Sequence, residues 1–277
     1  FRFRPGRRLR RSAAGAEAAH HLKPNLITDK DKTMSVQSII DDKSKSWTLF
    51  NKRVSKHYDL LSKVISLGLY DGWRKKLATE LPKGDNLQIL DLATGTGAIP
   101  LSMMKHAGGR IEKITGVDMS QDMLDIFGDA LAESPYANKI SFQRGDATDL
   151  PFEGNEFDAV TMACGIRNVA DPTKGCQEIF RMLKPGGKVL FLEPSMPENP
   201  VLRRVYLMHF RYVVPAVAAI ISDFGAYQYF NQSVEKFMYG QKFLDFLSEQ
   251  GFEDCHSFSL TFGAGRLYVA SKPEAKA

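Results

Sequence analysis

The chain has 277 residues, 43% of them hydrophobic and 25% charged, which is ordinary for a soluble globular protein and enough for one large α/β domain or one domain with additions. Its formal charge of +5 is concentrated at the start: residues 1–33 hold nine Lys/Arg against three Asp/Glu, leaving 28 against 29 in the rest, so the folded part carries no nucleic-acid footprint. Cys164, Cys176 and Cys255 are odd in number and lack metal-ligand spacing, which suits a reducing compartment, small buried thiols and no metal site.

Residues 1–33 place six arginines before Ser12 and show almost no apolar periodicity, so they are expected to be disordered. They read as an organelle transit peptide or as foreign sequence ahead of a start at Met34, and a chain beginning with Phe1 favours the second. One domain is then expected over residues 34–277. Between Trp47 and Leu81, aromatic, basic and apolar residues mix in a pattern of two helices broken near Gly68. They serve either as an amphipathic cover on the sheet or in closing a substrate site. Pro82-Lys83-Gly84-Asp85 then turns the chain into the core.

Gln88 to Pro100, QILDLATGTGAIP, is a short buried strand that feeds a turn of small residues and then a helix. Gly95 and Gly97 let a ligand's polar groups approach the backbone, and loop N–H groups face it at the helix N-terminus. Pro100 stands where a dinucleotide fingerprint needs Gly or Ala, although it suits a first helical turn. No lysine follows the glycines, so a nucleoside triphosphate is also disfavoured. An acid at the strand end, paired glycines and no pyrophosphate device fit S-adenosylmethionine, whose ammonium Asp91 could help to hold.

Strands and helices then alternate. Lys113–Asp118, Ile140–Asp146, Phe157–Cys164 and Lys188–Glu193 read as strands, Ser120–Glu133 as a helix capped by Ser120, and Pro172–Leu183 as a helix ended by Lys184-Pro185-Gly186-Gly187. This predicts a parallel, doubly wound sheet with the ligand at the strands' carboxyl ends. Residues 194–240 form an insertion rich in aromatics and methionine, whose most apolar run, Val213–Ile221, is too short to span a bilayer. A helix over Gln241–Gln250, stopped by Gly251, precedes the strands Cys255–Thr261 and Arg266–Ser271. Their short connection, Phe262 to Gly265, requires an antiparallel hairpin. A mostly parallel seven-stranded sheet closed by such a hairpin is the class I methyltransferase, Rossmann-like, arrangement.

Further segments carry a more specific likeness: VSKHYDLLSKVISLGLYDGWRK (Val54 to Lys75), GVDMSQDML (Gly116 to Leu124), GDATDLPFEGNEFDAV (Gly145 to Val160), GIRNVAD (Gly165 to Asp171), RMLKPGGKVLFLE (Arg181 to Glu193) and AYQYFNQSVEKF (Ala226 to Phe237). With DLATGTG (Asp91 to Gly97) they run through nearly the whole folded part. Together they resemble the S-adenosylmethionine-dependent C-methyltransferases of ubiquinone and menaquinone biosynthesis. The glycine loop and LKPGG are shared by many methyltransferases; GIRNV, the Tyr-Asp helix and YQYF are the specific part.

The resemblance implies transfer of a methyl to a ring carbon of a polyprenyl quinol, demethylmenaquinol in first place and the methoxy-benzoquinol precursor of ubiquinone in second. A non-catalytic scaffold of a quinone-synthesis complex is the competing class. Asp91, Thr94, Gly95 and Gly97 would hold the cofactor, Asp118 its ribose, Met119 its adenine face, and Asp146 with Ala147 the amino edge. Arg167, Asn168 and Tyr58 form the implied active set; the bland alternative makes Arg167 a loop brace to Asp171 and Tyr58 a core aromatic. Asp149 and Asp158 read as turn acids, and His57 and His209 as packed histidines with a role as base second to that. Relatives often carry an acid at Ala98 and Phe at Cys164, so a cofactor contact is lost or supplied elsewhere and the pocket is widened near the ring. Leu202–Tyr212, LRRVYLMHFRY, reads as an interfacial helix or a lid. The expected setting is the cytoplasm, peripheral to the inner membrane, or the mitochondrial matrix face if the leader is a transit peptide, with a homodimer or a quinone-synthesis complex as assembly.

Overall fold

The computed structural model describes residues 68–214 and 224–275, with 48, 62, 63 and 66. The leader, the first of the two pre-core helices, His57, Tyr58 and most of the run Val213–Ile221 lie outside the described residues. The elements are α1 (Tyr70–Thr79), β1 (Leu87–Leu92), α2 (Ala98–Ala107), β2 (Ile111–Asp118), α3 (Gln121–Ala132), β3 (Ile140–Arg144), β4 (Phe157–Ala163), α4 (Pro172–Met182), β5 (Leu183–Pro194), α5 (Pro200–Met208), α6 (Phe224–Lys236), α7 (Gln241–Glu249), β6 (Glu253–Leu260) and β7 (Gly265–Ser271).

The strands form one seven-stranded sheet in the order β3-β2-β1-β4-β5-β7-β6. The first five are parallel, and β7 runs antiparallel to both β5 and β6. This is the predicted class I methyltransferase sheet with its closing hairpin. Reversal of strand order on either side of β1 and β4 opens a crevice at their carboxyl ends, where ligands bind in doubly wound sheets.

Alternation along the strands builds two cores. Ile89, Leu190 and Leu267 pack with Trp73, Leu77, Met103 and Phe127 from α1, α2 and α3. Their neighbours Leu90, Phe191 and Tyr268 pack on the other face with Ile179, Phe243 and Leu247 from α4 and α7. Ser120 caps α3 through Met123 N–H as predicted, and Pro100 lies in the first turn of α2.

Two local readings change. Lys184–Gly187 does not form a turn between helix and strand: α4 ends at Met182 and β5 begins at Leu183. The four residues are a bulge, since Phe157 pairs with Leu183 and Ala159 with Lys188. Gly186 takes φ of 74° there, and Lys184 Nζ reaches across to Asp158 Oδ1 at 2.8 Å. Asp158 is accordingly a strand brace, not a turn acid, because its other oxygen accepts from Gln88 N–H.

α1 covers the sheet and also reaches the crevice. Trp73 packs on Gly265 at the start of β7 and donates its indole N–H to Thr261 Oγ1 at 2.7 Å, while Tyr70 from the same helix reaches the crevice.

Candidate active site

The crevice is a pocket walled by the ends of β1, β2 and β4. Thr94, Gly95, Asp118, Met119, Asp146, Ala147 and Asn168 line it, as do Tyr70, Thr148 and Cys164. Asp91, Gly97 and Arg167 are not on its wall.

The glycine loop turns through Gly97 N–H to Thr94 C=O, with φ of 58° at Gly95 and 80° at Gly97. The two glycines answer different needs. A Cβ on Gly95 would meet only Ala93 O, at 3.9 Å, so its space is the pocket. One on Gly97 would lie 2.0 Å from Phe127 Cδ2, so this glycine is required by packing of α3 and not by ligand approach as expected.

Asp118 lines the pocket but is also a structural acceptor. Its Oδ2 takes Gly95 N–H and its Oδ1 takes Ser120 N–H, both at 2.8 Å, tying the loop of β1 to the end of β2. Each carboxylate oxygen accepts more than one bond, so capacity for ribose hydroxyls remains. Burial raises its pKa, and those N–H donors oppose the rise. Asp146 fixes its own loop through Thr148 N–H and hydroxyl, both at 2.9 Å.

Asp91 lies beneath the pocket at 1% exposure. Its register partner on β4, Thr161, donates a short hydrogen bond to Oδ1. Burial pushes the carboxyl up to about 7, with the Thr161 and Thr94 hydroxyls pulling it back. Oδ2 of Asp91 and the hydroxyls of Thr94 and Thr96 are buried and make no hydrogen bond of full geometry among the described residues. Such groups are costly unless something satisfies them. A ligand with an ammonium and a carboxylate beside the loop, a diol at Asp118 and an aromatic base at Met119 matches these donors and acceptors, so the site fits S-adenosylmethionine.

The GIRN segment forms a tight 3-10 turn, Ile166–Asn168, whose consecutive side chains diverge. Asn168 turns to the pocket, donating to Cys164 C=O at 3.1 Å and accepting from Tyr229 OH at 3.1 Å. Arg167 turns away. It is 3% exposed, with Nη1 on Glu193 Oε2 at 2.8 Å, Nε on Ser233 Oγ at 3.3 Å, and its guanidinium over the Phe230 ring. The Asp171 brace does not form; Asp171 caps α4 through Lys174 N–H. Cys164 holds φ of 55° with its sulfur 3.7 Å from Tyr70 OH, and burial raises its pKa so the thiol stays protonated.

Tyr70, Thr161, Glu193, Tyr229 and Ser233 were not singled out from the sequence. Glu193 carried one available signal, an acid at the end of a buried strand. Tyr229 and Ser233 fall inside the specific YQYF segment without any spacing that assigns them.

Residues 39–272 match the model of the ubiE/COQ5 methyltransferase family. The chain belongs to this family. It is 38% identical over 245 residues to the demethylmenaquinone methyltransferase of Chlorobaculum parvum, covering 86% of this chain and 98% of that one. To the ubiquinone/menaquinone biosynthesis C-methyltransferase UbiE of Geobacter sulfurreducens it is 32% identical over 243 residues, 88% and 94% of the two chains. The fold is shared with a putative S-adenosyl-L-methionine-dependent methyltransferase from Methanococcus maripaludis, with a TM-score of 0.58 at 20% identity over 82% of this chain and 96% of that one. The protein is thus an enzyme, a C-methyltransferase, and its cofactor is S-adenosylmethionine.

Proposed function

We propose that this methyltransferase methylates a ring carbon of demethylmenaquinol, in a single domain spanning residues 34–277. The observation that carries the reading is the 38% identity, over nearly the whole of both chains, to a relative named for demethylmenaquinone. The benzoquinol precursor of ubiquinone is the second acceptor, because the Geobacter relative is named for both pathways.

S-adenosylmethionine supplies an electrophilic methyl group when bound. A quinol carbon becomes nucleophilic once a neighbouring hydroxyl loses its proton, so the protein must hold the ring near the methyl group and stabilise the phenolate. Asn168, on the pocket wall with its amide fixed by Cys164 and Tyr229, orients that hydroxyl. Arg167 contributes from behind the turn, and Tyr58 joins the set on the resemblance alone. Asp91, Thr94 and Gly95 hold the amino-acid end of the cofactor, and Asp118, Met119, Asp146 and Ala147 its nucleoside.

The acceptor's polyprenyl tail needs an apolar approach. On α5 and the π-helical turn His209–Val213 that follows, Val201, Val205, Met208 and Tyr212 are all more than half exposed, beside the exposed Arg203, Arg204 and Arg211. That mixture favours binding at the surface of an anionic membrane. No helix among the described residues is long and apolar enough to cross one.

Labelled S-adenosylmethionine offered with short-chain demethylmenaquinol and with the methoxy-benzoquinol tests the assignment. Transfer to the naphthoquinol ring is the expected result; preference for the benzoquinol moves the enzyme to the second acceptor, and transfer to neither overturns both.

A further inference from the structure

We infer that Glu193 is the positioning residue of the active turn: through a buried ion pair it fixes Arg167, and through Arg167 it locks α6 to the turn that presents Asn168. The inference rests on the proposed reaction for its kinetic signature, while its structural content does not depend on the acceptor.

Glu193 is fully buried near the end of β5, and the side chains of both partners in its ion pair are 3% exposed or less. A buried ion pair is seldom kept for stability, since apolar residues of similar volume serve as well; what it imposes is one geometry. Here the geometry joins three elements. Glu193 comes from β5, Arg167 from the turn, and Ser233 and Phe230 from α6. Tyr229, on that same helix, holds the Asn168 amide.

The turn has no side-chain cap of its own at Gly165. The N–H groups of Gly165 and Ile166 instead lie close enough to Glu193 to favour its ionised form, after Arg167 and against the desolvation that raises its pKa. Oε1 still makes no hydrogen bond of full geometry among the described residues. One carboxylate therefore faces the turn's backbone and the turn's arginine together.

Among the described residues, the other ionisable groups near Glu193 have their own partners or stay neutral. Arg266, opposite it on β7, binds Glu198 and Ser257. Tyr268 OH accepts from Gly240 N–H, and the Cys164 thiol stays protonated. Among the described residues Arg167 is thus the cation that Glu193 neutralises, and the two form an ion pair behind the pocket.

Glu193→Gln keeps the shape and removes the charge. Two effects follow that a purely structural residue would not produce together. Loss of the pin lets the turn and α6 shift, lowering kcat about 100-fold while KM for S-adenosylmethionine stays within about two-fold. The exposed charge of Arg167 favours the phenolate, so the acid limb of the kcat profile moves to lower pH.

The test measures both kinetic constants against pH on the full chain, with hydrogen exchange of residues 165–169 and 229–234. The expected result is low kcat, unchanged cofactor KM, a displaced acid limb and faster exchange in both segments. Wild-type kcat with an unmoved limb in folded Glu193→Gln overturns the inference. Should Glu193→Gln fail to fold, Ser233→Ala removes the other anchor and leaves the pair: a fall in kcat of about ten-fold with the limb in place supports the pin, and unchanged kcat overturns it. If the wild-type enzyme methylates neither quinol, the proposed function fails, and hydrogen exchange, which needs no acceptor, decides the pin alone.

Discussion

Two glycines of one loop should fail in opposite ways when each is replaced by alanine. At Gly97 the new Cβ meets Phe127 Cδ2 at 2.0 Å, and the ring cannot retreat because it is fully buried and stacked on Phe142 at 4.8 Å between centroids. Its φ of 80° adds the left-handed cost. Overpacking of about 1–3 kcal/mol and a left-handed alanine of about 1–2 kcal/mol together give about 2–5 kcal/mol. For a domain of this size that lowers Tm by roughly 10 °C. At Gly95 nothing lies within 3.9 Å of the new Cβ, so only the backbone cost of about 1–2 kcal/mol applies. The methyl group then stands in the pocket, and cofactor affinity falls by about ten-fold or more. Thermal unfolding of the cofactor-free proteins, followed by calorimetric titration with S-adenosylmethionine, separates the two. Equal losses of Tm, or cofactor binding by Gly95→Ala at wild-type affinity, would refute the division of labour.

Asp91 should make the cofactor-free enzyme less stable as pH rises. Its carboxyl, pushed from 3.8 up to about 7 by burial, keeps a proton that the unfolded chain has already lost, so stability falls between about pH 4 and pH 7 and then levels. Asp91→Asn should flatten that slope, gain on the order of 4 kcal/mol near pH 8 without cofactor, and weaken binding of S-adenosylmethionine; denaturant unfolding at two pH values checks it. Tyr229→Phe removes the donor to Asn168 Oδ1 and should cost about 1 kcal/mol, read as a roughly five-fold lower kcat with cofactor affinity unchanged. Replacing Arg203 and Arg204 with alanine should lower partition onto anionic vesicles about 30-fold at low salt, at about 1 kcal/mol per arginine, and leave zwitterionic vesicles unaffected; unchanged partition counts against membrane contact.

The fold was legible because each strand and helix carries its own period. Ile89 and Leu90 point to opposite cores, and a strand buried on both faces reads as a continuous apolar run. What was not legible depends on partners far along the chain. Lys184–Gly187 has the composition of a turn, and only pairing with Phe157 and Ala159 makes it a bulge. Gly97 has the spacing of a ligand-contact glycine, and only the placement of Phe127 assigns it to packing. Tyr70 sits in a helix whose Trp73 and Leu77 announce a cover, so its pocket-facing side is hidden in the pattern.

More of the residues expected for the cofactor line the pocket than of those expected for the acceptor, and the reason is physical. The proposed cofactor contacts come from strand ends, whose positions follow from the sheet: Asp118 ends β2, and Asp146 follows β3. The proposed acceptor contacts depend on a turn and on an added helix, neither fixed by ladder register. Arg167 illustrates the difference. Its neighbour Asn168 reaches the pocket, yet the guanidinium is turned into the core toward an acid on β5. In the proposed mechanism a charge held behind the wall acts on the acceptor through geometry and field, so its effect is set by the residue that neutralises it. If Glu193 is the pin, orientation of Asn168 and charge at Arg167 are two outputs of one buried carboxylate, which is why separating kcat from the pH profile is more informative than measuring activity alone.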